Sequence, residues 1–166
     1  TLTVPSTDLI TLDIEVSHAD LKILYSREGQ VSITAQAQAI GDAKLDGNFF
    51  KDLLHVDLDG TRLTLKQVSS PEYPEEKIKV LYRIDVPYRT QVTSHAESGS
   101  QTFTGITGPV KASSGKGDIR ASYISKAFEA EIDRGNLDLE VIGEQVAAKV
   151  RDGNISCSRL PQGATV

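Results

Sequence analysis

Three consecutive segments share one pattern: VKASSGKGDIRASYISKA (residues 110–127), FEAEIDRGNLDLEVIGEQ (128–145) and VAAKVRDGNISCSRLPQG (146–163). Each segment has a glycine at the same place, at Gly117, Gly135 and Gly153, and Gly99 lies 18 residues before the first of these. A fixed period indicates stacked structural units of nearly identical shape. The pattern predicts architecture and indicates little about activity, because unrelated functions can be mounted on one scaffold.

Apolar residues keep the same register on both sides of the glycines, so each unit is expected to hold two short strands with a repeated inward face. Small side chains in one of these columns predict that the two faces approach closely. The last column is out of phase with strict alternation, which predicts a bend or bulge just before it. The columns are Val92, Val110, Phe128 and Val146; Ala112, Ala130 and Ala148; Gln101, Ile119, Leu137 and Ile155; and Ile106, Ile124, Ile142 and Leu160.

Charged residues distinguish a parallel stack from an antiparallel meander. In a parallel, in-register stack, residues 18 apart lie one above the other at about 4.8 Å. Seven pairs of charged residues have this spacing after residue 89; Lys116 with Arg134 is like-charged, and the other six pairs are opposite in sign. A meander gives no reason for this spacing. The six pairs are Lys111 with Glu129, Arg120 with Asp138, Lys126 with Glu144, Glu131 with Lys149, Asp133 with Arg151, and Arg134 with Asp152.

The first half of the chain predicts strands by its alternation of apolar and polar residues. Turn residues separate these strands, and Asp59-Gly60 is a favoured tight-turn pair. The predicted strands are Leu9 to Val16, Leu21 to Tyr25, Val31 to Ala37, Leu54 to Leu58, Leu63 to Gln67 and Ile78 to Val86.

The predicted fold is therefore all-β: one domain over residues 1–166, built as an elongated β-solenoid-like stack, either a single-stranded right-handed β-helix or a β-roll. Residues 1–86 are expected to form an irregular β-strand half. Residues 87–166 are expected to form regular 18-residue rungs. Ala164 and Val166 continue the columns, so we expect the stack to be truncated in the middle of a rung and the chain to be a fragment.

Composition narrows the partners. The 166 residues carry a net charge of −5 with both signs interspersed, which disfavours nucleic acid as a partner. No run reaches the roughly 18 apolar residues that a membrane-spanning helix needs. The single cysteine, Cys157, cannot form an internal disulfide and falls in an apolar column, so a small buried side chain is favoured over a reactive thiol.

The residue after each glycine is polar: Ser100, Asp118, Asn136 and Asn154. Stacked asparagines can hydrogen-bond to one another between rungs. Calcium is the alternative, because stacked Asp and Asn turns bind it in some repeat proteins. A structural ladder is favoured, since this column holds one carboxylate and a hard cation needs several.

Candidate catalytic groups are sparse. An acidic group on one rung, Glu129, Glu131, Asp138 and Glu140, is the best candidate for a polysaccharide-active site, although three of the four already have a cation one rung away. His18, His55 and His95 are expected to be surface residues, because a zinc site needs convergent ligands. Phe49 and Phe50 are expected to cover an end or flank of the sheets, with a ligand platform as the alternative. We therefore assign no catalytic, cofactor-binding or metal-ligating residue.

The stretch from Val86-Pro87 to Leu160, with its Gly-Asp-Ile, Gly-Asn-Leu and Gly-Asn-Ile corners, resembles the bacterial putative-adhesin family of domains of unknown function. The opening strands and the run from Asp59 to Leu65 are similar to that family's first region. The resemblance implies an all-β, solenoid-like module of an envelope or secreted protein, located in the periplasm, on the cell surface or outside the cell. It supplies no catalytic residue.

The expected role is therefore a non-catalytic, adhesion-like module whose partner is a cell-surface glycan or protein. Two alternatives remain open. One is a carbohydrate-binding or carbohydrate-active β-helix, and the other is a module that associates end to end through its last rung.

Overall fold

The structure, a computed structural model, describes residues 2–5, 11–39, 54–68 and 78–160. These residues form strands and turns, with no helix among them, as the all-β prediction requires. The strands of the first half are β1 Leu2–Pro5, β2 Thr11–His18, β3 Asp20–Tyr25, β4 Gln30–Ala39, β5 Leu54–Asp59, β6 Arg62–Gln67 and β7 Ile78–Val86. Those of the second half are β8 Gln91–Ser98, β9 Gln101–Thr104, β10 Val110–Lys116, β11 Ile119–Ile124, β12 Phe128–Arg134, β13 Leu137–Ile142, β14 Val146–Asp152 and β15 Ile155–Ser158.

The strands form two mixed sheets, neither of which closes on itself. The eight-stranded sheet has the order β1-β4-β7-β3-β9-β11-β13-β15, and the seven-stranded sheet has the order β14-β12-β10-β8-β2-β6-β5. Neighbours are parallel through the middle of both sheets. Antiparallel pairs occur only at one end, where β4 pairs with β7 and β1, and β5 pairs with β6 through a tight turn at Asp59-Gly60.

In the second half, residues 18 apart lie opposite each other. Val110 pairs with Phe128 and Phe128 with Val146 in one sheet, while Ile119 pairs with Leu137 and Leu137 with Ile155 in the other. Each repeat therefore contributes one strand to each sheet. These ladders are parallel, as the charge spacing predicts, and they exclude an antiparallel meander for β8 to β15.

The parallel ladders also continue into the first half, which the sequence analysis did not predict. β2 pairs with β8 and β3 pairs with β9 at a constant offset of 80 residues, as in Leu21 with Gln101. The 18-residue period hides this relation because 62 further residues (80 minus 18) intervene. β6 and β7 then lie beyond β2 and β3, in parallel to them.

The core lies between the two sheets, where the inward faces meet. Phe103 of β9 and Phe128 of β12 contact edge to face, with ring centroids 6.2 Å apart. The buried Gln101 accepts a hydrogen bond from Ser94 Oγ at 2.6 Å and donates one to the carbonyl oxygen of Ser113 at 2.7 Å. Ala112, Ala121 and Ala130 are buried, so small side chains do line the space between the faces.

The predicted bend before the fourth inward column is present. Gly105, Tyr123, Val141 and Arg159 have φ angles of 70°, 57°, 53° and 52° and occupy successive positions 18 residues apart. The left-handed backbone resets the alternation, so that Ile106, Ile124 and Ile142 again point into the core.

The glycine corners are required by contact as well as by φ. A Cβ at Gly117 would overlap the carbonyl oxygen of Gly99, and one at Gly135 would overlap that of Gly117. The equivalent position of the β2–β3 repeat is Ala19, whose carbonyl oxygen lies under Gly99. Ala19 is not among the residues with positive φ, which explains why this corner carries no glycine.

Candidate binding surfaces

Ion pairs between repeats decorate the outer faces. Four of the six predicted pairs form: Lys111 with Glu129 at 4.0 Å, Arg120 with Asp138 at 3.5 Å, Lys126 with Glu144 at 2.9 Å, and Arg151 with Asp133 at 3.8 Å. Glu131 with Lys149, and Arg134 with Asp152, are opposite each other in the ladder but form no ion pair within this part of the described chain. Exposed pairs of this kind contribute about 0.2 to 1 kcal/mol each. They help to specify register more than stability.

The acidic group proposed from sequence is divided between the two sheets. Glu129 and Glu131 belong to β12 of the seven-stranded sheet, whereas Asp138 and Glu140 belong to β13 of the eight-stranded sheet. Their inward neighbours are buried, so the two pairs point away from opposite faces. Among the described residues, no group of three or more His, Cys, Asp or Glu side chains is placed to hold a metal ion.

The polar column after the glycines forms a hydrogen-bonded ladder. Asn136 N–H donates to Asp118 Oδ1 at 2.8 Å, and Asn154 N–H donates to Asn136 Oδ1 at 3.0 Å. The same contact recurs 80 residues apart, where Ser100 N–H donates to Asp20 Oδ1 at 2.9 Å. The predicted bond between stacked asparagines is present at 3.4 Å, from Asn154 Nδ2 to Asn136 Oδ1. The ladder thus has the geometry of the structural alternative.

A charged groove follows the ends of the strands in the seven-stranded sheet. It has a volume of about 700 Å³ and is lined by Glu97, Lys116, Asp133, Arg134, Arg151 and Asp152. Gly115 opens the groove, because it supplies no side chain between Glu97 and Asp133 in their column. The lining carries three acids and three bases. The groove therefore has no excess of either charge with which to select an ion.

Two sequence assignments are corrected. His18, expected on the surface, is 9% exposed, because it ends β2 beneath Gln67 of β6, whose Oε1 accepts its N–H at 3.3 Å. His55 and His95 are exposed as predicted, and His95 Nδ1 lies 2.7 Å from Ser113 Oγ.

Cys157, expected to be buried, is exposed because it lies on β15, the last strand of its sheet in the described chain. Partial burial, followed by the negative charge of Asp138, raises the pKa of its thiol. A raised pKa disfavours the thiolate that a nucleophile needs. Phe49 and Phe50 lie outside the described residues.

Three tyrosines gather at the edge opposite the charged groove, where the strands of the eight-stranded sheet end. Tyr25 ends β3, Tyr123 lies at the bend of β11, and Tyr88 follows β7 by two residues; they are 38%, 56% and 60% exposed. β7, β3, β9 and β11 are successive neighbours in the sheet. Gly105, just after β9, lies between Tyr25 and Tyr123 in the column. Sequence reasoning missed this edge because its residues come from three distant segments, and only the 80-residue offset aligns Tyr25 with the repeats.

The described residues include no helix that is both long and apolar enough to cross a bilayer.

No family model matches the chain, and no curated protein matches it in sequence. Among solved structures it is similar to a putative cell adhesion protein from Clostridium sporogenes ATCC 15579, with a TM-score of 0.54 and 9% identity over 94% of this chain and 96% of that one. A putative adhesin from Bacteroides fragilis NCTC 9343 aligns over 95% of both chains at 12% identity, with a TM-score of 0.31. The first likeness shows a shared fold over nearly the whole length. The resemblance to adhesin-named domains drawn from sequence is thus confirmed at the level of fold.

Proposed function

We propose that the chain is a β-solenoid-like module, a single-stranded right-handed β-helix with 18-residue rungs, that acts in adhesion outside the cytoplasm without catalysing a reaction. The parallel register of β8 to β15 and of β2 and β3 supports the solenoid. The proposed hand follows from the strong preference for right-handed crossovers between parallel strands of one sheet.

The observation that carries the proposal is the stack of repeats with regular outer columns. Such a stack presents an extended surface at fixed spacing, which suits the recognition of a large partner. The similar fold of a protein described as a cell adhesion protein supports the same role and an extracytoplasmic location. The division of the acidic group between opposite faces supports a non-catalytic role, because general acid and base must both reach one substrate.

Adhesion is tested by coating fluorescent beads with the folded chain and measuring their attachment to bacterial and epithelial cells. Beads coated with the heat-denatured chain provide the control. We expect the folded chain to retain several-fold more beads than the control on at least one cell type. Equal attachment of both bead types to all cells would contradict an adhesive role.

End-to-end self-association is a second candidate, favoured by the state of the last described repeat. Ile155 and Val150 belong to inward columns but are only partly buried, and Cys157 is exposed. Exposed strand edges also template pairing with another chain. Sedimentation velocity over a hundredfold range of concentration tests this candidate; a growing sedimentation coefficient supports it, and a constant one contradicts it.

A further inference from the structure

We infer that the edge formed by Tyr25, Tyr88 and Tyr123 binds a glycan, with one sugar ring seated above Gly105. This inference rests on the proposed adhesive function, because it names the ligand class and the site through which adhesion would occur.

The distribution of aromatic side chains is the first observation. Of the described tyrosines, only Tyr82 is buried, and that burial raises the pKa of its phenol. The described phenylalanines, Phe103 and Phe128, are also buried. All three exposed aromatic residues of the described chain therefore meet at one edge. Single exposed apolar residues need no explanation, whereas a cluster assembled from three strand ends indicates an interaction site.

The gap at Gly105 is the second observation. The next three repeats carry Tyr123, Val141 and Arg159 in the same left-handed conformation, so this backbone accepts a side chain. A Cβ at Gly105 would make ordinary contact, 3.5 Å from Tyr25 Cβ. Neither conformation nor packing therefore demands glycine here, and its effect is to leave an opening between two tyrosines.

The opening has a suitable width for one ring. Tyr25 and Tyr123 lie two repeats apart, which corresponds to about 9.6 Å at about 4.8 Å per repeat. A ring stacked on an aromatic face needs about 3.5 to 4.0 Å on each side. One sugar ring can therefore contact both tyrosines, and further sugars of an extended glycan can run along the stack toward Tyr88.

Tyr88 is held in place before any ligand arrives. Thr90 Oγ1 donates to the carbonyl oxygen of Pro87 at 3.0 Å, and Arg89 N–H donates to Thr107 Oγ1 at 2.8 Å. The Arg89 guanidinium lies 5.2 Å from the Tyr88 ring centroid and keeps donors for sugar hydroxyls or a carboxylate. A preformed site loses less entropy on binding, which favours affinity for a small, polar ligand.

The surroundings favour a glycan over an apolar peptide. Outward neighbours of the tyrosines are polar, as at Thr104, Ser122 and Glu140, so no continuous apolar patch is available within the described edge. β3, β9 and β11 are paired on both sides, which leaves no free strand edge for a peptide to extend. A tyrosine offers an apolar ring face and a polar hydroxyl. A sugar ring has the matching combination of C–H faces and hydroxyl rim.

The test is calorimetric titration of the folded chain with four named probes: cellohexaose, chitohexaose, laminarihexaose and hexagalacturonate. We expect at least one probe to bind. Tyr25→Ala and Tyr123→Ala should each weaken that binding about tenfold, the loss of one stacking contact. Gly105→Asn should weaken it similarly, because asparagine tolerates the left-handed conformation and fills the opening. Tyr123→Phe keeps the ring and should retain most of the affinity.

Leu58→Ala is the matched control. Leu58 is 48% exposed on β5, at the far end of the other sheet, so its removal should not change binding. The inference is overturned if the wild-type chain binds none of the four probes, or if the tyrosine variants bind as tightly as Leu58→Ala.

The bead assay separates this inference from the proposed function. Attachment that persists in Tyr25→Ala and Tyr123→Ala would leave adhesion standing and overturn the glycan edge. Oligosaccharide binding that depends on the tyrosines, with no attachment to any cell, would support the glycan edge and contradict adhesion.

Discussion

Gly135 and Gly29 both have positive φ angles, 147° and 67°, but they differ in their surroundings. A Cβ at Gly135 would overlap the carbonyl oxygen of Gly117 one repeat away, whereas a Cβ at Gly29 would meet nothing within 4 Å. The first glycine is required by stacking and the second only by the conformation of its turn. Strain from φ alone costs about 1 to 2 kcal/mol for a non-glycine residue.

Gly135→Ala should therefore lower the free energy of unfolding by more than about 3 kcal/mol, since the strand ladder must shift to admit a methyl group. Gly29→Ala should cost only about 1 to 2 kcal/mol. Urea unfolding followed by circular dichroism measures both. Equal losses in the two variants would show that the repeats do not approach each other at the corner.

Val141 combines a β-branched side chain with a φ of 53°, which is an outlier for this residue type. Val141→Asn should raise the free energy of unfolding by about 1 kcal/mol, because asparagine adopts the left-handed conformation at lower cost. Thr104→Asn, in β9, has no positive φ to relieve and should be neutral or slightly destabilising. The prediction fails if Val141→Asn is as destabilising as this control.

At the scale of elements, each corner is tied to the next by a side chain that accepts a backbone N–H. Asn136 does this for Asn154 and receives the same contact from Asp118. An oxygen acceptor of this kind is equivalent to the cap of a helix end, where its loss costs about 1 kcal/mol.

Asn136→Ala should accordingly destabilise the chain by about 1 kcal/mol, while Asn136→Asp keeps an acceptor oxygen and should cost less. Thermal unfolding of the two variants at pH 7 measures the difference. If both substitutions cost the same, the ladder contributes nothing through its oxygen atoms.

The elements differ in how well the sequence predicts them, and the reasons are physical. β7 agrees with prediction at both ends, because Ile78, Val80, Tyr82, Ile84 and Val86 alternate strictly with outward residues. The bend before Ile106 and Ile124 was also predictable, since it breaks that alternation. The stacking of β2 and β3 on β8 and β9 was not, because Ala19 replaces the marker glycine and the offset is 80 residues.

The same limits apply to the candidate surfaces. The sequence predicted the ion pair of Arg120 with Asp138, because register alone places them together. It could not predict the tyrosine edge, because Tyr25 and Tyr88 reach Gly105 through non-local pairings. The burial of His18 likewise depends on β6, which lies beside β2 although 43 residues separate their ends, from residue 18 to residue 62 with both ends excluded.

At the scale of the whole molecule, both sheets share one order of repeats, and the chain returns past an earlier repeat to continue the stack. β6 and β7 lie beyond β2 and β3, and β8 then pairs on the other side of β2. The Pro87 to Thr90 segment makes this passage, which is why Tyr88 comes close to the end of β3. The candidate glycan edge is thus a consequence of the topology.

Disulfide cross-linking in a Cys157→Ser background tests the parallel stacking of residues 18 apart most directly. Ser122 and Glu140 face outward and lie opposite each other on β11 and β13, so Ser122→Cys with Glu140→Cys should form a disulfide rapidly under mild oxidation. Ser122→Cys with Glu131→Cys places the thiols on opposite sheets and should stay reduced. Efficient cross-linking of the second pair, or failure of the first in the folded chain, would contradict the stacked architecture on which the proposals depend.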